Sequence, residues 1–145
     1  MTTQSAFTED EWKLVLEGPP SAGFLVVTAS KGGMFRETFA MSKAYVEARA
    51  EHGDSELLDA VVASKPKVDR AASGSTEAAR DHALGLLRDA TALVAAKATP
   101  EELSDYRRFI LVLADKVANA HREHGDAVDE AEHQAIESIR AAIGA

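Results

Sequence analysis

Residues 18–28 read Gly18-Pro19-Pro20-Ser21-Ala22-Gly23-Phe24-Leu25-Val26-Val27-Thr28, and the class of the fold turns on whether this stretch is strand or helix. Phe24 to Thr28 is apolar and β-branched, the composition of a buried strand. An isolated strand leaves its N–H and C=O groups unpaired, and no other segment of the chain offers it a partner. The reading is therefore a short buried helix over 21–30, opened by Pro20, which has no N–H to lose in a first helical turn. On that reading Gly18-Pro19-Pro20 also ends the helix before it.

Upstream, Thr8-Glu9-Asp10-Glu11 has the order of a capping box: the Thr8 hydroxyl accepts from the N–H of residue 11, and the Glu11 carboxylate accepts from the N–H of Thr8. Phe7 before the cap and Trp12 behind it make a hydrophobic staple. A first helix from Glu9 to Glu17 follows.

Downstream, Lys31-Gly32-Gly33 breaks the chain. Phe35, Phe39, Ser42, Tyr45 and Val46 then recur at helical spacing between Met34 and His52, and Gly53 supplies the stop. Asp54 caps a short helix bearing Leu57, Leu58, Val61 and Val62, closed by Lys65-Pro66-Lys67. A small, polar stretch, Ala71 to Ser75, makes residues 65–75 the natural flexible connection. Cutting there would leave halves of about 70 residues with marginal cores, so residues 1–145 are expected to form a single domain.

The second half is more regular. Thr76 to Lys97 carries Ala83, Leu86, Leu87, Ala90, Leu93 and Val94 on one stripe. Thr99-Pro100-Glu101-Glu102 is a second capping box, with proline at the first helical position. Behind it Leu103, Tyr106, Ile110, Leu113 and Val117 alternate steps of three and four, the seam of a helix laid against near-parallel neighbours. Gly125 ends that helix. Asp129 caps the last one, with Glu132 as its reciprocal partner; Ile136, Ile139 and Ile143 face inward, and Gly144 stops it. The sum is an all-α, single-domain helical bundle of six to seven helices. Glu-His-Gly-Asp occurs at 51–54 and again at 123–126; His and Gly closing a helix before an Asp cap account for it better than duplication does.

Composition narrows the function. The chain has 145 residues and no cysteine, which removes disulfides, thiolate metal sites and a cysteine nucleophile. A net charge of −8 argues against a nucleic-acid backbone or an anionic membrane as partner. Met1 to Ala6 holds no basic residue and leads into no long apolar run, so the expected setting is the cytoplasm. Twenty-eight alanines favour closely approaching helices.

For chemistry, the notable cluster is C-terminal. His121, His124 and His133 fall close together among Asp126, Asp129, Glu130 and Glu137. In a chain without thiols, imidazole and carboxylate are the side chains that would hold zinc, manganese or iron. Glu130, His133 and Glu137 share one helical face by their spacing. Only one Glu-x-x-His motif occurs, Glu130 to His133, where a di-iron bundle draws on two plus further glutamates. That face lies round from Ile136, Ile139 and Ile143, the position of a solvated acidic surface. Residues 121–137 carry six acids against Arg122, a formal −5.

Other sites find less support. Gly125-Asp126-Ala127-Val128-Asp129 lacks the alternating ligand register of a calcium loop. Neither Gly18-Pro19-Pro20-Ser21-Ala22-Gly23 nor Ser30-Lys31-Gly32-Gly33 has the order of a phosphate cradle, and no nucleophile elbow is present. Trp12, Phe24, Phe35, Phe39, Tyr45, Tyr106 and Phe109 read as core. Lys65, Lys67 and Arg70 read as a solvated basic loop.

The closing pattern, Gly125-x-x-Val128-Asp129-x-x-Glu132-x-x-x-Ile136-x-x-Ile139, resembles the helix–turn–helix ending of the tellurite-resistance TerB-like helical proteins, with His124 where that family has an acid and a turn one residue longer. From Phe7-Thr8-x-x-Glu11-Trp12 through Thr99-Pro100-Glu101-Glu102, the chain also resembles small uncharacterised bacterial all-helical proteins. The expectation is a small cytoplasmic bacterial protein, an interaction or scaffold module rather than an enzyme, linked to stress and paired with a second copy or another protein. It needs no cofactor. The alternative is a divalent-metal-binding bundle using His121, His124, Asp126, Asp129, Glu130, His133 and Glu137.

Overall fold

Capping chemistry starts the first helix where the sequence places it. The Thr8 N–H donates to Glu11 Oε1 at 2.8 Å and the Glu11 N–H donates to Thr8 Oγ1 at 3.2 Å. Phe7 and Trp12 are both buried, with ring centroids 5.7 Å apart, so the staple is closed as well. A short 3-10 turn, Gln4–Ala6, leads in.

The computed structural model describes residues 4–29, 43–47, 56–63, 76–122 and 130–144. Helix α1 spans Glu9–Ala29. Helix α2 is described over residues 43–47. Helices α3 (Glu56–Ala63), α4 (Thr76–Lys97), α5 (Pro100–Arg122) and α6 (Glu130–Ile143) follow. No strand occurs among the described residues, and the fold is the all-α bundle expected. The proposed connection at 65–75, both Glu-His-Gly-Asp motifs, the basic loop and Phe35 and Phe39 lie outside the described residues.

One expectation fails. The Glu9–Glu17 segment and residues 21–29 are a single helix, and Pro19 and Pro20 sit in its interior rather than at its end. The two segments merge, so the described helices number six. Residues 21–29 are helical, not extended. Tertiary contact explains how the helix passes through. Pro19 has no N–H for the Val15 carbonyl, and the Tyr106 hydroxyl of α5 donates to that carbonyl at 2.7 Å. Gly18 makes the approach feasible, because a Cβ there would overlap the Tyr106 hydroxyl oxygen. One turn on, Ser21 Oγ donates to the Glu17 carbonyl at 2.8 Å. Gly18, Pro19 and Pro20 are all buried.

Helix α1 packs most extensively on α4, then on α5 and α6; α4 and α5 also meet α6, and α3 lies on α5. The approach of α1 to α4 is close because both contribute small residues. A Cβ on Gly18 would lie 3.4 Å from that of Ala90, a fully buried residue. The stripes read from the sequence point inward. Leu87, Ala90 and Val94 of α4, Tyr106, Ile110, Leu113 and Val117 of α5, and Ile139 of α6 are fully buried with Val15 and Val26. At about 25 cal/mol per Å² of apolar surface removed from water, this core is the main term holding the helices together.

The second capping box is also formed. The Thr99 N–H donates to Glu102 Oε1 and the Glu102 N–H to Thr99 Oγ1, each at 3.2 Å. Gly144 has φ +74°, the left-handed conformation that terminates α6. Arg107 Nε donates to the Ile143 carbonyl at 2.8 Å and ties that end to α5.

Candidate functional site

The seven residues expected as metal ligands divide by position. His121 occupies the last turn of α5 and Glu130 the first position of α6. His124, Asp126 and Asp129 lie outside the described residues, as do the side chains of His121 and Glu130. His133 and Glu137 are exposed on α6, on the side away from Ile136, Ile139 and Ile143, as the helical spacing requires. Glu137 Oε1 stands 3.9 Å from Arg140 Nε one turn along, with the side chains 63% and 44% exposed, a solvent-screened pair. Among the described residues, no three His or carboxylate side chains converge to hold a metal ion.

Three buried polar side chains of the described helices, Thr91, Glu102 and Tyr106, bond backbone groups. Thr91, 5% exposed, donates through Oγ1 to the Leu87 carbonyl at 2.7 Å. Glu102, equally buried, accepts at the Thr99 cap. Tyr106 bonds Val15 across the bundle, and burial pushes its phenol far above its ordinary value, so it stays a donor at every physiological pH.

Charge is organised at two seams. Lys97, at the end of α4, donates to Glu11 Oε1 at 2.7 Å and to the Ala6 carbonyl at 3.1 Å. Its ammonium also stands 5.6 Å from the centre of the Phe7 ring, within cation–π range. The Lys97 hydrogen bond, followed by the N–H of Thr8, holds the Glu11 carboxyl below its usual range. At the other seam Lys116 of α5 bonds Glu47 of α2, lowering the Glu47 carboxyl, with Lys43 adding to the effect. Tyr45 meets Phe109 edge-on beside it, centroids 5.1 Å apart at 76°. Val46 and Val112, on the same two helices, are 57% and 38% exposed.

The sequence supplied signals for the caps and stripes but none for these pairings, whose partners lie far apart in the chain. The Tyr106 contact had a partial signal: consecutive interior prolines free two carbonyls, and a tyrosine on an inward seam brings a donor. Comparison with known proteins gave no match to this chain, whether by family model, curated protein or solved structure.

Proposed function

We propose that the chain is a small cytoplasmic protein of bacterial type that acts as an interaction or scaffold module with a stress-related role. One observation carries this reading: the buried polar side chains Thr91, Glu102 and Tyr106 bond the fold's own backbone. These three interior groups are thereby committed to structure, and the reading assigns recognition to the surface. Val46 and Val112 present apolar surface there, with the charges of Glu47 and Lys116 alongside. The sequence pattern from Gly125 to Ile139, which resembles that of TerB-like proteins, is the ground for the bacterial, stress-linked setting. The partner is a second copy or another protein. Sedimentation velocity over a wide concentration range tests the self-association arm. A reversible dimer weakened by Val46→Asp or Val112→Asp is expected, and a strict monomer at every concentration counts against it.

A second reading, a divalent-metal-binding bundle, draws on the exposure of His133 and Glu137 one turn apart on α6. Binding to the folded state raises the melting temperature in proportion to occupancy. A rise with Zn²⁺ or Mn²⁺ that His121→Ala and His124→Ala abolish would support it. Melting indifferent to both ions would sink it.

A further inference from the structure

The outer face of α5 carries its charges in a self-complementary order. Arg108, Val112 and Asp115 are exposed, and Asp105 and Lys116 are half-buried beside them. At about 3.6 residues per turn these residues share one stripe of the helix. Arg108 and Asp115, about two turns apart, form one edge of it, and Asp105 and Lys116, about three turns apart, form the other. Val112, 38% exposed, lies between the edges. Among the described residues Arg108 and Asp115 have no ion-pair partner. Lys116 bonds Glu47 of α2 and keeps further N–H donors.

A two-fold axis between Leu111 and Val112, perpendicular to α5, reverses the height of each residue and keeps it on the same edge. Arg108 and Asp115 stand equally far from that axis, about 5 Å along the helix on either side. Each Arg108 therefore faces Asp115 of the other copy, and the contact occurs twice. On the second edge Asp105 comes within a turn of Lys116 of the other copy, and the two Val112 side chains meet at the centre. A parallel pairing would instead set Arg108 on Arg108 and Asp115 on Asp115.

We propose that the outer face of α5 seats a second copy of the chain, antiparallel, with Val112 at the two-fold axis and Arg108 paired to Asp115 across it. This rests on the reading of the surface at Val112 as an interaction site and names its partner. One helix face is small beside the roughly 1,200–2,000 Å² of a stable interface, so the pair is weak and reversible.

Sedimentation velocity on the full chain tests it. Wild type should form a reversible dimer. Arg108→Glu and Asp115→Arg each oppose like charges in both contacts and should raise the dissociation constant about tenfold or more. Mixed in equal amounts, the two variants form a heterodimer in which both contacts are again of opposite charge. Its dissociation constant should return to within about threefold of wild type. A mixture as weak as the single variants overturns the proposal. A dimer weakened by Val112→Asp but indifferent to both reversals overturns this pairing and leaves the interaction reading standing. A strict monomer also overturns it, and the reading then rests on a different protein as partner. Since the chain has no cysteine, oxidative cross-linking decides where a charge variant does not fold. Val112→Cys should form a disulfide dimer about tenfold faster than Glu101→Cys, because only at the axis do the two copies of one residue come within about 7 Å. Equal rates overturn the proposal.

Discussion

The Tyr106 hydroxyl occupies, at the Val15 carbonyl, the place that Pro19 vacates by lacking an N–H, and the two oxygens stand 2.7 Å apart. The bond is buried, so its loss costs more than a typical net hydrogen bond: it leaves an acceptor without water or partner. A side chain of α5 thereby completes the backbone of α1, which binds the two helices together by chemistry as well as packing.

Gly18 follows from the same geometry. An interior Gly→Ala change in a helix ordinarily stabilises by about 0.5–1 kcal/mol. Here the added methyl would overlap the Tyr106 hydroxyl oxygen, so Gly18→Ala is expected to destabilise by about 1–3 kcal/mol, the cost of overpacking. Urea denaturation measures it. Repeating the change in a Tyr106→Phe background should recover part of the loss, because the overlapping oxygen is gone; an equal loss in both backgrounds would place the clash elsewhere.

The pH dependence of the N-terminal clamp has a defined sign. Glu11 is held below its ordinary value of 4.5, first by the Lys97 hydrogen bond and then by the Thr8 N–H. A carboxylate with a lowered folded pKa contributes stability above its unfolded pKa and loses it as pH falls through the folded one. Glu11→Gln retains the capping geometry, since glutamine also serves in a capping box, but removes the charge. The wild type should therefore melt above Glu11→Gln at neutral pH, and the two should converge as pH drops below 4.5. Added salt should narrow the gap at neutral pH, because the pair is partly exposed.

What the sequence made legible was local. Thr8 with Glu11 and Thr99 with Glu102 fix helix starts through atoms three residues apart, and the stripe from Tyr106 to Val117 fixes an inward face by period alone. The break expected at Gly18-Pro19-Pro20 fails for the opposite reason. Local propensity ends a helix there, whereas the helix runs through with packing on the bundle and a hydroxyl from 91 residues away at the Val15 carbonyl. The Lys97–Glu11 and Lys116–Glu47 pairs were illegible on the same ground. Of the proposed metal set, the exposure of His133 and Glu137 on α6 agrees with the periodicity. Spacing along a single helix places such residues on one face, but it carries no information on what the neighbouring helix brings to them.

The turn from α4 to α5 rests on its own capping box. Thr99→Ala removes the acceptor for the Glu102 N–H and is expected to cost about 1 kcal/mol. Thr99→Ser keeps that acceptor and should lie close to wild type. The urea midpoint distinguishes them. Equal midpoints for Ala and Ser would mean that the box does not contribute to global stability.

The end of α6 provides a coupled test. Gly144 adopts φ +74°, where an L side chain costs about 1–2 kcal/mol, and its Cβ would lie 3.3 Å from Arg107 Nη2. Arg107 in turn donates to the Ile143 carbonyl, one residue away. Gly144→Ala and Arg107→Met should each lower the denaturation midpoint, and the pair should be less than additive, because both act on the same helix end. With Arg107 gone, the alanine methyl meets no guanidinium, and the last turn is already released from α5. A double-mutant cycle in urea measures the coupling. Strict additivity would mean that the arginine bond and the left-handed glycine hold the end of α6 independently.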